Sequence, residues 1–145
     1  MSEETKFFEY LRRTGLKITR ERKEILREVF TSHRHFDADE LFLRLKGRGA
    51  GVSRATVYRT LALLVRSHLV RKMELGDGRA TYEHVLGHPH HDHLICIQCN
   101  RILEFHHPEI EELQQKVCEE FDFKMKSHSQ QIYGVCKECR KKQSS

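Results

Sequence analysis

Cys96-Ile97-Gln98-Cys99 and Cys136-Lys137-Glu138-Cys139 are two CxxC pairs, and no other feature restricts the folding of this chain as tightly. Two thiolates presented by one tight turn make half of a tetrahedral zinc shell, and a second such turn completes it with no position open. Four thiolates imply a structural ion, so the fold between residues 96 and 139 has to bring its two ends together. A redox CxxC of the thioredoxin kind needs a βαβ setting that surrounds neither pair. In a reducing compartment the five cysteines read as metal ligands rather than a disulfide framework, with Cys118 left over as a small core residue beside a helical stripe. Structural zinc contributes roughly 10–16 kcal/mol of apparent binding free energy, more than the whole stability of a module of about 60 residues.

The 145 residues have room for one ordinary domain or two small ones with thin cores. No apolar stretch is long enough to span a bilayer. Met1-Ser2-Glu3-Glu4 is acidic and is not followed by the basic and apolar regions of a secretory signal, so the expected location is the cytoplasm, away from membranes. Residues 1–84 carry 18 Lys and Arg against 12 Asp and Glu, a net of +6, whereas residues 85–145 carry 8 against 9, a net of −1. A basic half joined to a near-neutral half suits a nucleic-acid reader with a separate assembly or sensing module; a solvated basic surface would give the same count.

Four helices are expected in the basic half. Phe7, Phe8 and Leu11 form the stripe of the first, which ends at Gly15. Thr19 caps the second, whose buried face is Ile25, Leu26, Val29 and Phe30. Asp37 and Glu40 form a capping box for the third, with Ala38, Leu41, Phe42 and Leu45 behind it and Gly47-Arg48-Gly49 at its end. Ser53 caps the fourth, which turns Val57, Leu61, Leu64 and Val65 inward, Ala55, Thr56, Arg59 and Arg66 outward, and leaves Tyr58 on the flank. Strand-like Leu69–Leu75 and Arg79–Val85 flank Gly76-Asp77-Gly78, a hairpin turn. Helices followed by a hairpin describe a winged helix-turn-helix over 1–84, and Gly and Pro mark a hinge at 85–89. Residues 90–145 then read as a hairpin, Leu94–Ile97 with Ile102–Phe105, a helix opened by Pro108 with the stripe Ile110, Leu113, Val117 and Phe121, and a third strand at Ser129–Val135. The fold class is α+β: a winged helix followed by a small α/β module with a three-stranded sheet.

Five of the 11 histidines lie between His84 and His93, and the densest run is His90-His91-Asp92-His93, leading straight into the first CxxC. If the run is extended, alternation sends His91 and His93 to one face and His90 and Asp92 to the other, so one strand could serve two metal sites. Imidazole and carboxylate without thiolate suit iron(II), manganese, zinc or nickel.

Taken together these residues resemble the ferric uptake regulator family, over essentially the whole chain. The most specific parts are Ser53-Arg54-Ala55-Thr56-Val57-Tyr58-Arg59-Thr60-Leu61 and His90-His91-Asp92-His93-Leu94-Ile95-Cys96-Ile97-Gln98-Cys99; Gly15 to Thr19, His35 before Asp37 to Leu41, Tyr82-Glu83 and Tyr133 to Cys136 follow the family's order. The resemblance implies a metal-dependent repressor, not an enzyme, that binds double-stranded DNA operators as a homodimer or a higher oligomer built from it. It implies a dimerising C-terminal module, structural Zn2+ on Cys96, Cys99, Cys136 and Cys139, and a regulatory ion on His35, Glu83, His91, His93 and Glu104. An additional site would use His90, Asp92, Glu111 and His128. The regulatory ion is expected to be Fe2+, with Mn2+ or Zn2+ as alternatives: Glu83 looks like the iron-responsive branch, peroxide sensors usually carry aspartate there, and the cysteine that zinc sensors commonly add near the wing is missing from Met73–Tyr82.

The expected mechanism is a clamp, in which ligands drawn from both sides of Gly87 are all satisfied when the domains close, setting the distance between two winged heads. Tyr58 and Arg59 are the expected major-groove contacts, with Thr56 beside them, Lys17 resembles the family's minor-groove lysine, and Arg54 and Arg66 would neutralise phosphate. A nucleobase deaminase would need an H-x-E together with a P-C-x-x-C, and no P-C-x-x-C is present. A zinc-ribbon adaptor for proteins would leave the outward Arg59 and Arg66 without a purpose. Peroxide sensing at the same ligands is the alternative within regulation.

Overall fold

The computed structural model describes residues 2–31, 35–85, 92–126 and 128–143. They divide into two units, Met1–Glu74 with Gly78–Pro89, and Leu75–Asp77 with His90–Ser145. The first holds helices α1 (Glu3–Arg13), α2 (Arg20–Thr31), α3 (Ala38–Gly47) and α4 (Arg54–Arg66) and strands β1 (Val70–Glu74) and β2 (Ala80–His84). Each helix begins on a side-chain cap: Ser2 accepts from the Thr5 N–H, Thr19 from Arg22, Asp37 from Glu40 and Ser53 from Thr56. Such caps satisfy amide donors that a helix start leaves unpaired, at about 1 kcal/mol each. Behind α1 the chain turns at Gly15, with φ +74°.

Phe7, Leu11, Ile25, Val29, Leu41, Leu45, Val57, Leu61 and Leu64 are fully buried and form the core of this unit. On α4 the buried arc is wider than the expected stripe. Thr60 and Leu63 are buried and Val65 is half-buried, because α4 packs against α2 and α3 and also against β1.

The β1–β2 register runs from Val70 opposite His84 to Glu74 opposite Ala80 and is centred on Asp77. Gly78, at φ +85°, takes the left-handed turn position that a side chain would strain. Phe36 adds an antiparallel bridge: its N–H donates to the Tyr82 carbonyl at 2.9 Å and its carbonyl accepts from the Tyr82 N–H at 2.7 Å. The two rings stack with centroids 6.0 Å apart. The segment entering α3 is thereby pinned to β2.

In the second unit β3 (Asp92–Cys96), β4 (Ile102–Phe105), α5 (Pro108–Glu120), β5 (Gln131–Gly134) and α6 (Lys137–Gln143) follow in order. The sheet is ordered β4-β3-β5, with β3 antiparallel to β4 and parallel to β5. β3 begins two residues before the expected Leu94, so Asp92 and His93 belong to the ladder. Helix α6 has no counterpart in the sequence reading: it is short, rich in Lys and Arg, and has no buried residue, so periodicity gives no sign of it.

The stripe of α5 is in the expected order but does not lie in a core. No residue of α5 is buried within the chain, and Leu113, Val117 and Phe121 are 61%, 54% and 77% exposed. Phe123 and Met125 continue this apolar face into a groove of about 440 Å³, where Cys118 is half-buried. Periodicity reveals an apolar face but not what covers it. No helix among the described residues is long and apolar enough to cross a membrane.

Candidate metal centres

The parallel pairing of β3 and β5 brings their C-terminal ends side by side, with Cys96 opposite Gly134. Each strand then enters a CxxC: Cys99 stands in the turn after β3, Cys136 just beyond β5, and Cys139 on α6. The four sulfurs lie within 4.8 Å of one another, with Cys96 Sγ 3.9 Å from Cys139 Sγ and Cys99 Sγ 3.8 Å from Cys136 Sγ. A tetrahedral ion with zinc–sulfur bonds of about 2.3 Å requires sulfurs about 3.8 Å apart, so the shell fits zinc. The Cys136 N–H donates to Cys96 Sγ at 3.4 Å and is the main reason the Cys96 thiol is lowered to about 6. Cys139 is pushed up to about 12, first by hydrogen bonding with the Cys136 thiol and then by burial. Arg101 Nη1, 2.7 Å from Glu138 Oε2, ties the first knuckle to the second.

Glu83, on β2, is 6% exposed. Its Oε2 is 3.3 Å from His35 Nε2, a meeting produced by the Phe36–Tyr82 bridge next door. Its Oε1 is 3.2 Å from Arg71 Nη1 across the hairpin. Sequence reasoning overlooked Arg71, although a hairpin symmetric about Asp77 puts position 71 opposite 83.

On β3, His93 is 1% exposed and directly opposite Glu104 of β4. Residues directly opposite in an antiparallel pair share a face, so this imidazole and carboxylate form a second nitrogen–oxygen pair. Asp92 points to the other face, where its carboxylate, that of Glu111 and the His128 ring have ligand atoms within 4.8 Å of one another. His128 Nε2 is 3.1 Å from Glu111 Oε2. These oxygen and nitrogen donors suit a divalent cation of hard or borderline character. The remaining expected ligands, His90 and His91, lie outside the described residues.

The expected DNA contacts lie in the first unit. Arg54, Tyr58 and Arg59 are exposed on α4, and Thr56 Oγ1, 2.9 Å from the Ser53 hydroxyl, accepts from Arg59 Nη2 at 3.3 Å. Tyr58 is 48% exposed, on the flank and outside the core. Lys17 is exposed in the α1–α2 connection, where its carbonyl accepts from the Arg22 guanidinium.

The model of the ferric uptake regulator family matches residues 13–133. A ferric uptake regulation protein of Campylobacter upsaliensis is 38% identical over 139 residues, covering 94% of this chain and 88% of its own length. The peroxide-responsive repressor PerR of Staphylococcus epidermidis is 35% identical over 130 residues, covering 90% and 85%. The solved ferric uptake regulator of Helicobacter pylori, described as revealing three functional metal binding sites, superposes with a TM-score of 0.73 at 31% identity, over 90% of this chain and 86% of that one. A basic helical unit with a wing, joined to a mixed-sheet unit with a four-cysteine shell, is the architecture of a metal-responsive transcription factor and not of an enzyme. The chain belongs to the ferric uptake regulator family.

Because the ion contributes more than the whole stability of so small a unit, removing the zinc with a chelator is expected to unfold the second unit or to separate the subunits. Circular dichroism and sedimentation after chelation measure this, and a second unit that stays folded and assembled without zinc would contradict the structural role of the ion.

Proposed function

We propose that the chain is an iron(II)-responsive transcriptional regulator of the cytoplasm, a repressor that binds palindromic operators as a homodimer when its regulatory site is filled. The observation that carries this reading is a preformed nitrogen–oxygen pair in each unit, His35 with Glu83 in the first and His93 with Glu104 in the second. His91 joins His93 by the alternation of an extended strand. An ion bound by all five residues supplies an attraction between the two units that their like-natured ligands lack. Residues 1–84 then serve as the DNA-binding domain, 85–89 as the hinge and 90–145 as the dimerisation domain. Occupancy of the five ligands and grip on DNA are linked reciprocally. Asp92, Glu111 and His128, with His90, form the additional site; the three sites described for the Helicobacter pylori protein support this assignment.

A second copy of the chain covers the apolar face of α5. Among the described residues this unit buries few apolar side chains of its own, Ile95 and Cys96, while Leu113, Val117, Phe121 and Phe123 are more than half exposed. A symmetric dimer presents two winged heads, which suits two half-sites of a palindrome. On the DNA, Tyr58 packs on a thymine methyl and Arg59 bridges guanine in the major groove, with Thr56 beside them. Lys17 reaches the minor groove, and Arg54 and Arg66 meet phosphate.

Peroxide sensing is the second reading, favoured by the 35% identity to PerR. Glu83, in place of aspartate, favours iron sensing. After exposure to iron and peroxide, intact-mass measurement is expected to find no oxygen added to His35 or His91; an adduct there would transfer the chain to the peroxide sensors.

Stripping the regulatory ion while the thiolate-bound zinc is retained is expected to abolish operator binding, and restoring iron(II), manganese or zinc ranks the ions. Binding that survives the stripping would overturn the metal-responsive mechanism. Arg59→Ala is expected to lose roughly 1–3 kcal/mol of preference for the operator over a mismatched duplex, measured by competition footprinting.

A further inference from the structure

Asp39 stands on the first turn of α3, with its carboxylate facing the start of α4. Its Oδ1 is in contact with Arg54 Nη1, and the same oxygen is 3.5 Å from the Tyr58 hydroxyl. Arg54 and Tyr58 are four residues apart on α4 and so share a face. The Arg54 guanidinium also lies over the Phe42 ring of α3, its central carbon 4.6 Å from the ring centroid. One residue expected to meet phosphate and one expected to read a base are therefore both turned toward a single carboxylate oxygen. The Arg54 and Asp39 side chains are 53% and 58% exposed, and an ion pair this open to water contributes little to stability. A carboxylate offers a guanidinium the same charge and fork geometry as a phosphate.

We propose that Asp39 is a selectivity-determining residue of the DNA-reading face: it occupies Arg54 as a phosphate would, and withholds that charge from non-cognate DNA. The inference rests on the DNA-binding reading above. A non-cognate duplex has to displace Asp39 to recruit Arg54 and gains no base contact at Tyr58 in return. On an operator, the base contact made by Tyr58 offsets the cost of displacing Asp39 and so frees Arg54 for the backbone. Asp39 thereby makes a phosphate contact conditional on a base contact, which converts a sequence-blind interaction into a sequence-dependent one.

The test uses the full-length, metal-loaded protein, an operator selected by the wild type from a random duplex library, and one random-sequence duplex. Affinities are measured from about 50 to about 200 mM salt for the wild type, Asp39→Asn, Arg54→Ala and the double variant. Each added phosphate contact steepens the slope of log affinity against log salt by about 0.9. Asp39→Asn is expected to bind the random duplex more tightly at low salt and to lose roughly 3.5-fold more of that affinity than the wild type across the range. Its slope on the operator stays near that of the wild type, so the ratio of operator to random affinity falls. In the Arg54→Ala background the Asp39→Asn effect disappears. An unchanged slope on random DNA, or a gain that persists in full without Arg54, overturns the role of Asp39 while leaving DNA binding intact. A wild-type protein that enriches no sequence overturns the DNA-binding reading and this inference with it.

Discussion

Closure of the four-cysteine shell is the constraint from which the geometry of the second unit follows. Cys96 is the last residue of β3, and the turn beyond it is closed by the Cys96 N–H donating to the Arg101 carbonyl at 2.9 Å and the Asn100 N–H to the Cys96 carbonyl at 3.0 Å. A turn held this way sets the register of β3 on β4, and the register puts His93 opposite Glu104. A slip of one residue would send His93 to the opposite face and move Asp92 away from Glu111 and His128. The thiolates thus govern, through a strand five residues long, the oxygen and nitrogen donors on both of its faces. In a unit with so few buried apolar residues, a covalent-strength cross-link is the natural means of holding such a register.

The first unit reaches a comparable result without sulfur. Its register comes from the turn around Asp77, and the Phe36–Tyr82 bridge ties the approach to α3 onto the same hairpin. Glu83 is consequently faced by an imidazole on one oxygen and a guanidinium on the other. Burying a carboxylate costs free energy unless charge or hydrogen bonds compensate, and Arg71 supplies that compensation. The first unit also has the larger core, with four capped helices packed around Leu41, Leu61 and Leu64, so its donors rest on a scaffold that needs no ion.

Much of this was legible from local pattern. Helix starts at Thr19, Asp37 and Ser53 are written in side chains that accept from their own backbone, and the hairpin turns are written in Gly76-Asp77-Gly78 and in the first CxxC. The alternation that separates Asp92 from His93 depends on strand geometry alone. Less legible were features whose cause is distant in the chain. Arg71 draws its significance from Glu83, twelve residues on, and Asp39 from Arg54 and Tyr58 on the next helix. Periodicity carries no information about such partners because it describes one element at a time. Helix α6 escaped notice for another reason: it has no apolar face and forms on the turn of the second CxxC.

By itself the sequence determined the chemistry available: four soft thiolates in two turns, a strand with imidazole and carboxylate on opposite faces, and a helix with arginines turned outward. These follow from covalent spacing and backbone period, which act over a few residues. The tertiary structure decided which of those groups meet, and it left the apolar stripe of α5 exposed on the single chain. The reason is physical: an apolar stripe lowers free energy by leaving water against any complementary surface, and the stripe does not specify whether its own chain or another molecule provides that surface.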